Sequence, residues 1–452
     1  MRSMIFFVLT LTCAICGSAE GQATYLLETK CKEGDSWIAS VDLQVGGDQI
    51  IPELSGDKKF PLSVSAQLKY EEQLLAWSGD EVARSLRYYD TVAVKIQKEE
   101  GGTECYLRAD SKLVVAEIRN QRAAFNGSEK PMSRQQLDLV NVVGNTLALQ
   151  RLLPGRNLAE GDSWDHTAAA IGPLLGLDYV AVCEVSSVVT GEKHDQVQIR
   201  LVGTVHGTVD GAPTEMELRG AYLFHQRQKR ITKFNLAIKE LRTASEIVPG
   251  LDIVAKVSIT LEPVSKRSKM TASQIKQASN LSDPLERELV YDARTQGFRF
   301  KHDVNWYVTG EQRELVSLRC MHRGDLVAHC NISTLPARSE GRFTSLDQFE
   351  RDVRTSLGDS LESVAAATNW TTPQGYECLG VVAKGKVEDV PIEWRYYLIA
   401  ADGLPRVSLA VTVEQSQLEQ FKDGDRQLVD SLELMPAENE TATMKKNASV
   451  SR

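Results

Sequence analysis

Apolar and polar positions alternate along much of this chain, and the C-terminal half shows the pattern best. Three apolar runs follow one another at positions 376–383, 392–399 and 407–413. In the second, Ile392, Trp394, Tyr396 and Leu398 share one face, while Glu393, Arg395 and Tyr397 share the other. In the third, Val407, Leu409, Val411 and Val413 alternate with Ser408, Ala410 and Thr412. A period of two predicts half-buried strands. Asp402-Gly403, between the last two runs, supplies a hairpin turn because Gly accepts the positive φ that tight turns need.

The N-terminal half reads the same way. Positions 62–77, 83–97, 103–119, 178–190, 196–209, 214–225, 230–241 and 252–261 are rich in Val, Leu, Ile, Thr and Tyr, with turns such as Asp210-Gly211-Ala212-Pro213 between them. Long strands joined by short turns predict an antiparallel meander. Two helices interrupt it. Ser133 with Gln136 forms a capping box ahead of Leu137, Leu139 and Val140. Thr167 caps a second helix over 168–175, which Gly172-Pro173 weakens. Further on, Phe298, Phe300 and 304–308 predict strands, and 314–319 with 326–332 predict a hairpin. Thr344 and Asp347 open a helix with Leu346, Phe349, Val353 and Leu357 on one face, and 426–432 predicts a last helix.

A pentapeptide repeats: Glu33-Gly34-Asp35-Ser36-Trp37 returns as Glu160-Gly161-Asp162-Ser163-Trp164. Each copy reads as a tight turn with Trp anchoring it to the core, and the pair implies two similar β-units. The fold class expected is α+β: an N-terminal antiparallel meander, as a half-barrel or curved sheet of two similar units, then an antiparallel sheet sandwiched with helices. Residues 1–23 read as a signal peptide, 24–263 as the β-rich domain and 264–289 as a polar linker or loosely packed helix. Residues 290–436 form the second domain and 437–452 a disordered tail.

Composition changes this picture in three ways. At 452 residues the chain is too long for one ordinary core. A net charge of -9 offers no basic stripe, so no nucleic-acid partner is expected. Arg2, the apolar stretch from Ile5 to Ile15, and the small residues at Gly17-Ser18-Ala19 or Gly21-Gln22-Ala23 make a secretory leader. No later stretch approaches the roughly 20 apolar residues of a transmembrane helix. The mature chain is therefore expected to be exported, periplasmic or extracellular, with no transmembrane segment.

Candidate chemistry is sparse. Cys31, Cys105, Cys183, Cys320, Cys330 and Cys378 show no CxxC spacing and read as buried thiols; Cys320 and Cys330 flank a turn out of register for a bridge. The seven histidines show neither HxxxH nor HxH, so no metal is expected. Asp162, Asp165 and His166 cluster at a turn, where Asp is a normal cap. There is no Gly-x-Ser-x-Gly elbow, Walker sequence or GxGxxG, so no catalytic residue or cofactor is assigned. Arg323-Gly324-Asp325 reads as turn residues.

From Gly297-Phe298-Arg299-Phe300 and Trp306, through Pro391-Ile392-Glu393-Trp394-Arg395-Tyr396-Tyr397-Leu398, to Asp425 and Leu428-Val429-Asp430-Ser431-Leu432, the chain resembles the PsbP/DcrB-like family of exported α/β domains. The resemblance covers about 290–436. It implies a helix-sandwiched antiparallel sheet and a non-catalytic accessory role. The N-terminal half resembles exported β-rich bacterial proteins and, in shape, LolA-like half-barrels. Three readings follow: a non-catalytic binding or assembly module with an envelope protein as partner, a carrier of a hydrophobic small molecule in the N-terminal cleft, and an enzyme with a dispersed site. Glu393, Arg395 and Tyr397 form the candidate partner-binding patch, if helices leave their face open.

Overall fold

The structure, a computed structural model, describes residues 23–436 apart from 54–55, 80, 100, 120, 246, 265–267, 282–287, 323 and 338–343. The expected leader (but for Ala23), the tail, Lys266 and Arg267 of the linker and Arg323 lie outside the described residues.

The N-terminal unit opens with β1 (Thr24–Leu26), β2 (Ser36–Ile51), β3 (Lys58–Trp77), β4 (Val82–Lys98), β5 (Gly101–Tyr106), β6 (Leu113–Arg119) and β7 (Arg122–Gly127). There follow α1 (Arg134–Val140), α2 (Thr146–Leu149), β8 (Asn157–Ala159), β9 (Ser163–Asp165) and α3 (Ala168–Leu175). Five long strands close the unit: β10 (Tyr179–Lys193), β11 (Gln196–Val209), β12 (Ala212–His225), β13 (Arg230–Arg242) and β14 (Gly250–Pro263). After α4 (Ala272–Ser279) come β15 (Leu289–Ala293), β16 (Phe298–His302), β17 (Trp306–Glu311), β18 (Leu315–His322) and β19 (Asp325–Leu335). The chain ends with α5 (Leu346–Leu357), β20 (Leu361–Thr371), β21 (Glu377–Val387), β22 (Val390–Ala400), β23 (Arg406–Glu414), α6 (Leu418–Phe421), α7 (Gly424–Ser431) and β24 (Glu433–Leu434).

Strand accounts for 59% of the chain and helix for 16%, which corrects the α+β expectation to a mostly-β protein. The reason lies in lengths: β3 runs 20 residues and β4 17, whereas α5, the longest described helix, has 12. No described helix is long and apolar enough to cross a membrane. The stretch expected as one strand over 103–119 splits into β5 and β6 around a turn at Ala109–Ser111. The Ser133 capping box is present, but Thr167 makes no side-chain cap bond, and Ser345 rather than Thr344 caps α5.

Apart from β1 and β8, which pair with each other, the N-terminal strands form one sheet in the order β7-β6-β4-β3-β2-β14-β13-β12-β11-β10-β9, with β5 also on β4. This sheet curls without closing. A Cβ on Gly172 of α3 would sit 3.2 Å from Val180 Cγ2, beside β10, and 3.8 Å from the Gln121 carbonyl, beside β7. The two ends of the sheet therefore face each other across α3, and the unit is an open barrel.

The pentapeptide repeat is a structural repeat. Gly34 and Gly161 have φ of +87° and +90°. The Gly34 N–H donates to the Leu74 carbonyl of β3 at 2.9 Å, and the Gly161 N–H to the Val189 carbonyl of β10 at 2.9 Å. Asp35 Oδ2 accepts from the Lys32 N–H at 3.1 Å, and Asp162 Oδ2 from the Ala159 N–H at 2.8 Å. Trp37 and Trp164 are both buried, as core anchors.

The barrel interior is filled. Glu72, fully buried, accepts from Trp37 Nε1 (2.8 Å), Ser85 Oγ (2.7 Å), Arg87 Nε (2.7 Å) and Thr146 Oγ1 (2.5 Å). Arg87 also donates to Asn145 Oδ1 at 2.7 Å. Hydrogen bonding on every side is what keeps such a buried pair affordable. The void beside Tyr70, Arg87, Tyr89 and Asn145 measures about 10 Å³, room for one water.

The expected linker carries α4, with a Thr271–Gln274 capping box, and packs Met270 and Ala278 against Leu75, Leu86 and Val115. Beyond it, Leu289 is buried in the barrel core, and the Val290 N–H donates to the Met132 carbonyl at 2.9 Å. The C-terminal unit holds a sheet ordered β17-β18-β19-β23-β22-β21-β20 and a smaller one ordered β15-β16-β24. α5 packs on one face of the larger sheet, while α6, α7 and the smaller sheet cover the other.

Candidate functional site

That double coverage decides the fate of the patch at Glu393, Arg395 and Tyr397. Glu393 and Tyr397 are buried, 6% and 7% exposed, and Arg395 keeps only 17% of its side chain open. Arg395 Nε pairs with Glu393 Oε1 at 2.9 Å, and its Nη1 with Asp425 Oδ1 of α7 at 2.8 Å. Tyr397 donates its hydroxyl to Asp425 Oδ2. Burial opposes the Arg395 cation, but Asp425 and Glu393 outweigh it and hold the group charged; burial and the Asp425 charge raise the Tyr397 phenol. The exposed patch is thereby corrected to an internal network that pins α7, because the face left polar by alternation is the face the helix covers.

The polar concavity lies elsewhere, at the seam of the open barrel. A cavity of about 390 Å³ is bounded by β7, by the start of β10, by the β11–β12 turn and by the loop entering β17. Its size lies within the range of ligand pockets, about 300–1,000 Å³. Tyr307 of β17 donates to Asp210 Oδ1 at 2.9 Å, and Arg134 of α1 donates to the Val304 carbonyl with its guanidinium 4.3 Å from the Tyr307 ring. Burial, with the Asp210 charge, raises the Tyr307 phenol.

Two hairpin tips meet at the cavity rim. A Cβ on Gly211 would lie 3.0 Å from Gly324 Cα, so glycine at both tips permits the backbones to touch. Gly324 of the Arg-Gly-Asp turn is thus spent on docking one unit against the other. Asp178 stands at the mouth with an exposed side chain. Crowding by the cavity walls and the Asp210 charge nevertheless push its carboxyl up to about 6, against the pull of the Gly211 and Asp210 N–H groups and the Arg122 charge. Tyr179, 57% exposed, adds an open aromatic ring beside it. The seam thus presents carboxylates, phenols and backbone edges, a set suited to N–H-bearing or cationic groups.

The remaining sequence candidates have structural employment. Asp162 closes its turn, and His166 Nε2 lies 2.7 Å from Ser187 Oγ, which also accepts from the Tyr222 hydroxyl at 3.0 Å, all inside the core. Cys320 stands opposite Ala328 and Cys330 opposite Leu318, and the six described cysteines are free. Burial pushes the thiols of Cys320 and Cys378 up to about 12. Among the described residues no three His, Cys, Asp or Glu side chains converge as a metal set. No sequence motif marked the seam, since its parts lie at 121–126, 178–180, 210 and 303–307.

No family model matches the chain, and no curated protein matches it. Among solved structures, cyanobacterial PsbP from Synechocystis is similar at 13% identity and a TM-score of 0.27, over 32% of this chain and 92% of that one. A Pseudomonas aeruginosa protein of unknown function, called a putative regulator, is similar at 11% identity and a TM-score of 0.24, over 34% of this chain and 99% of that one. At these scores the likenesses bear on neither partner nor activity.

Proposed function

We propose that this is an exported, non-catalytic binding or assembly protein of the cell envelope, and that it engages its partner at the seam cavity. The observation that carries the reading is the cavity itself, walled by two packed units and open at Asp178 and Tyr179. Export rests on the Arg2 n-region, the apolar 5–15 core and the small residues that follow. The interior of the barrel is packed around Glu72 and Arg87, so a carrier of a hydrophobic ligand would have to use the open concavity of about 1010 Å³ on the outer face of β2 and β11–β14 instead.

The test is crosslinking and affinity recovery of the full chain from the envelope fraction of its native host. A stoichiometric partner should copurify, and Asp178→Asn with Tyr179→Ala should release it with little change in Tm, since Asn keeps an acceptor for the Gly211 and Asp210 N–H groups and both residues are exposed. Recovery from the cytosol with Met1 intact overturns export. Turnover of an ester, peptide, glycan or phosphate substrate overturns the non-catalytic reading.

A further inference from the structure

The seam also contains two strand edges that no strand covers. β7 ends the sheet on one side, paired only with β6. On the other side β9 pairs with just Ser186, Ser187 and Val188 of β10, and the His166 N–H adds one bond to the Val185 carbonyl at 2.8 Å. The stretch from Tyr179 to Glu184 is therefore paired through β11 alone. Natural proteins blunt such edges with Lys, Pro or bulges, because unpaired N–H and C=O groups recruit further strands. This stretch reads Tyr-Val-Ala-Val-Cys-Glu, with no Lys, Arg or Pro; it is blunted only in part, by the register shift between Val180 and Val182, by the Glu184 charge and by α3 beside Val180. Tyr179 and Val182 are 57% and 43% exposed. An apolar edge kept open to solvent beside a cavity is the arrangement used for β-strand addition.

We infer that the seam binds an extended polypeptide segment carrying Lys or Arg, which adds as a strand along Tyr179–Glu184 and lies across the cavity toward β7. Six residues of strand span about 20 Å, so the segment needs roughly that many residues. Backbone pairing supplies the grip, and the side chains it meets supply the selectivity. Asp178, Asp210 and Asp303 line the cavity and Glu184 lies on the edge, against Arg122 and Arg134. Of the two cations, Arg134 is already committed to the Val304 and Trp306 carbonyls. A basic side chain therefore complements the cavity, and apolar neighbours at alternate positions cover Tyr179 and Val182.

The inference rests on reading the seam as a binding site and narrows its partner to peptide. The probe is a library of end-blocked decapeptides presented to the purified full-length protein. Binders should be depleted of Pro and enriched in Lys or Arg. Methylating one alternate set of backbone nitrogens in the best binder should weaken it at least tenfold, and methylating the other set should change it less than threefold. Bound peptide should slow hydrogen exchange at Tyr179–Glu184, and Val182→Lys should weaken binding at least tenfold with Tm unchanged. No enrichment, equal effects of the two methylation sets, or protection away from β10 overturns the inference. A native partner that is lost on changing Asp178 and Tyr179, while no library peptide binds, would uphold the seam and sink only the strand-addition mode.

Discussion

The Tyr307 hydroxyl donates to Asp210 Oδ1 at 2.9 Å, and this bond joins the first strand of the C-terminal sheet to a hairpin tip of the open barrel. Around it Gly211 and Gly324 touch backbone to backbone, and Arg134 reaches across to Val304. The two units thus meet through a small polar latch over the seam cavity. Tyr307→Phe should cost about 1 kcal/mol, the usual net worth of one hydrogen bond. It should also quicken hydrogen exchange at Asp210–Gly211 and Asn305–Tyr307 while leaving β12 and β13 unaffected. A uniform change across the chain would mean that the latch is not a separable contact.

Acid should destabilise the protein through two buried histidines. Burial pushes His166 and His302 down to about 4, from an ordinary 6.5. A group whose folded form favours the neutral state contributes stability in full above its unfolded pKa. That contribution fades as pH falls from about 6.5 through 4, where the unfolded chain takes up the proton first. The loss is at most roughly 3 kcal/mol per histidine over that window. Asp138 and Asp178, both pushed up to about 6 chiefly by crowding, work in the opposite direction, but the exposure of both residues keeps that share small. Urea midpoints should therefore fall between pH 7 and pH 4, and His302→Gln should flatten the decline. An unchanged profile in that variant would count against the assignment.

The repeated turns should respond alike. Gly34 and Gly161 share a positive φ, and a Cβ at either would meet nothing within 4 Å. The cost of Gly34→Ala and of Gly161→Ala is then conformational, about 1 kcal/mol each. Chemical denaturation of both variants should give the same change within error. Clearly unequal values would mean that the two turns, though matched in hydrogen bonding, carry different loads.

Much of the architecture was legible because one local rule, alternation, was obeyed. Ile392, Trp394 and Leu398 pack against α5 as their spacing implies, and the meander from Tyr376 onward became β21, β22 and β23. β20 escaped notice because Leu361–Thr371 shows no two-residue period; it is an edge strand, mostly open to solvent. Alternation separates the faces of a strand but does not say what covers each. Whether Glu393, Arg395 and Tyr397 face solvent or lie beneath a helix stayed open in the sequence because their partner, Asp425, stands some 30 residues away on a helix with its own pattern. The seam was hidden for the same reason, since no two of its walls are neighbours in sequence.

The network that removed the exposed patch yields the sharpest prediction. Asp425, 1% exposed, is the acceptor shared by Arg395 Nη1 and the Tyr397 hydroxyl, and Arg395 further donates to the Lys422 carbonyl at 3.1 Å. Phe421 lies beneath the guanidinium at 5.4 Å. Asp425→Ala leaves a part-buried cation and a buried phenol with lost partners, a defect worth roughly 3–5 kcal/mol. Asp425→Asn keeps an acceptor and the shape but removes the charge, so it should cost clearly less. Replacing Glu393, Arg395 and Tyr397 together by Ala should destabilise the C-terminal unit by several kcal/mol, whereas an exposed patch would tolerate the change within about 1 kcal/mol. Thermal and urea unfolding of the three variants decides the matter. If the triple variant matches the parent, α7 is held by Leu428 and Val429 alone, and the ion pairs are ornaments of the core.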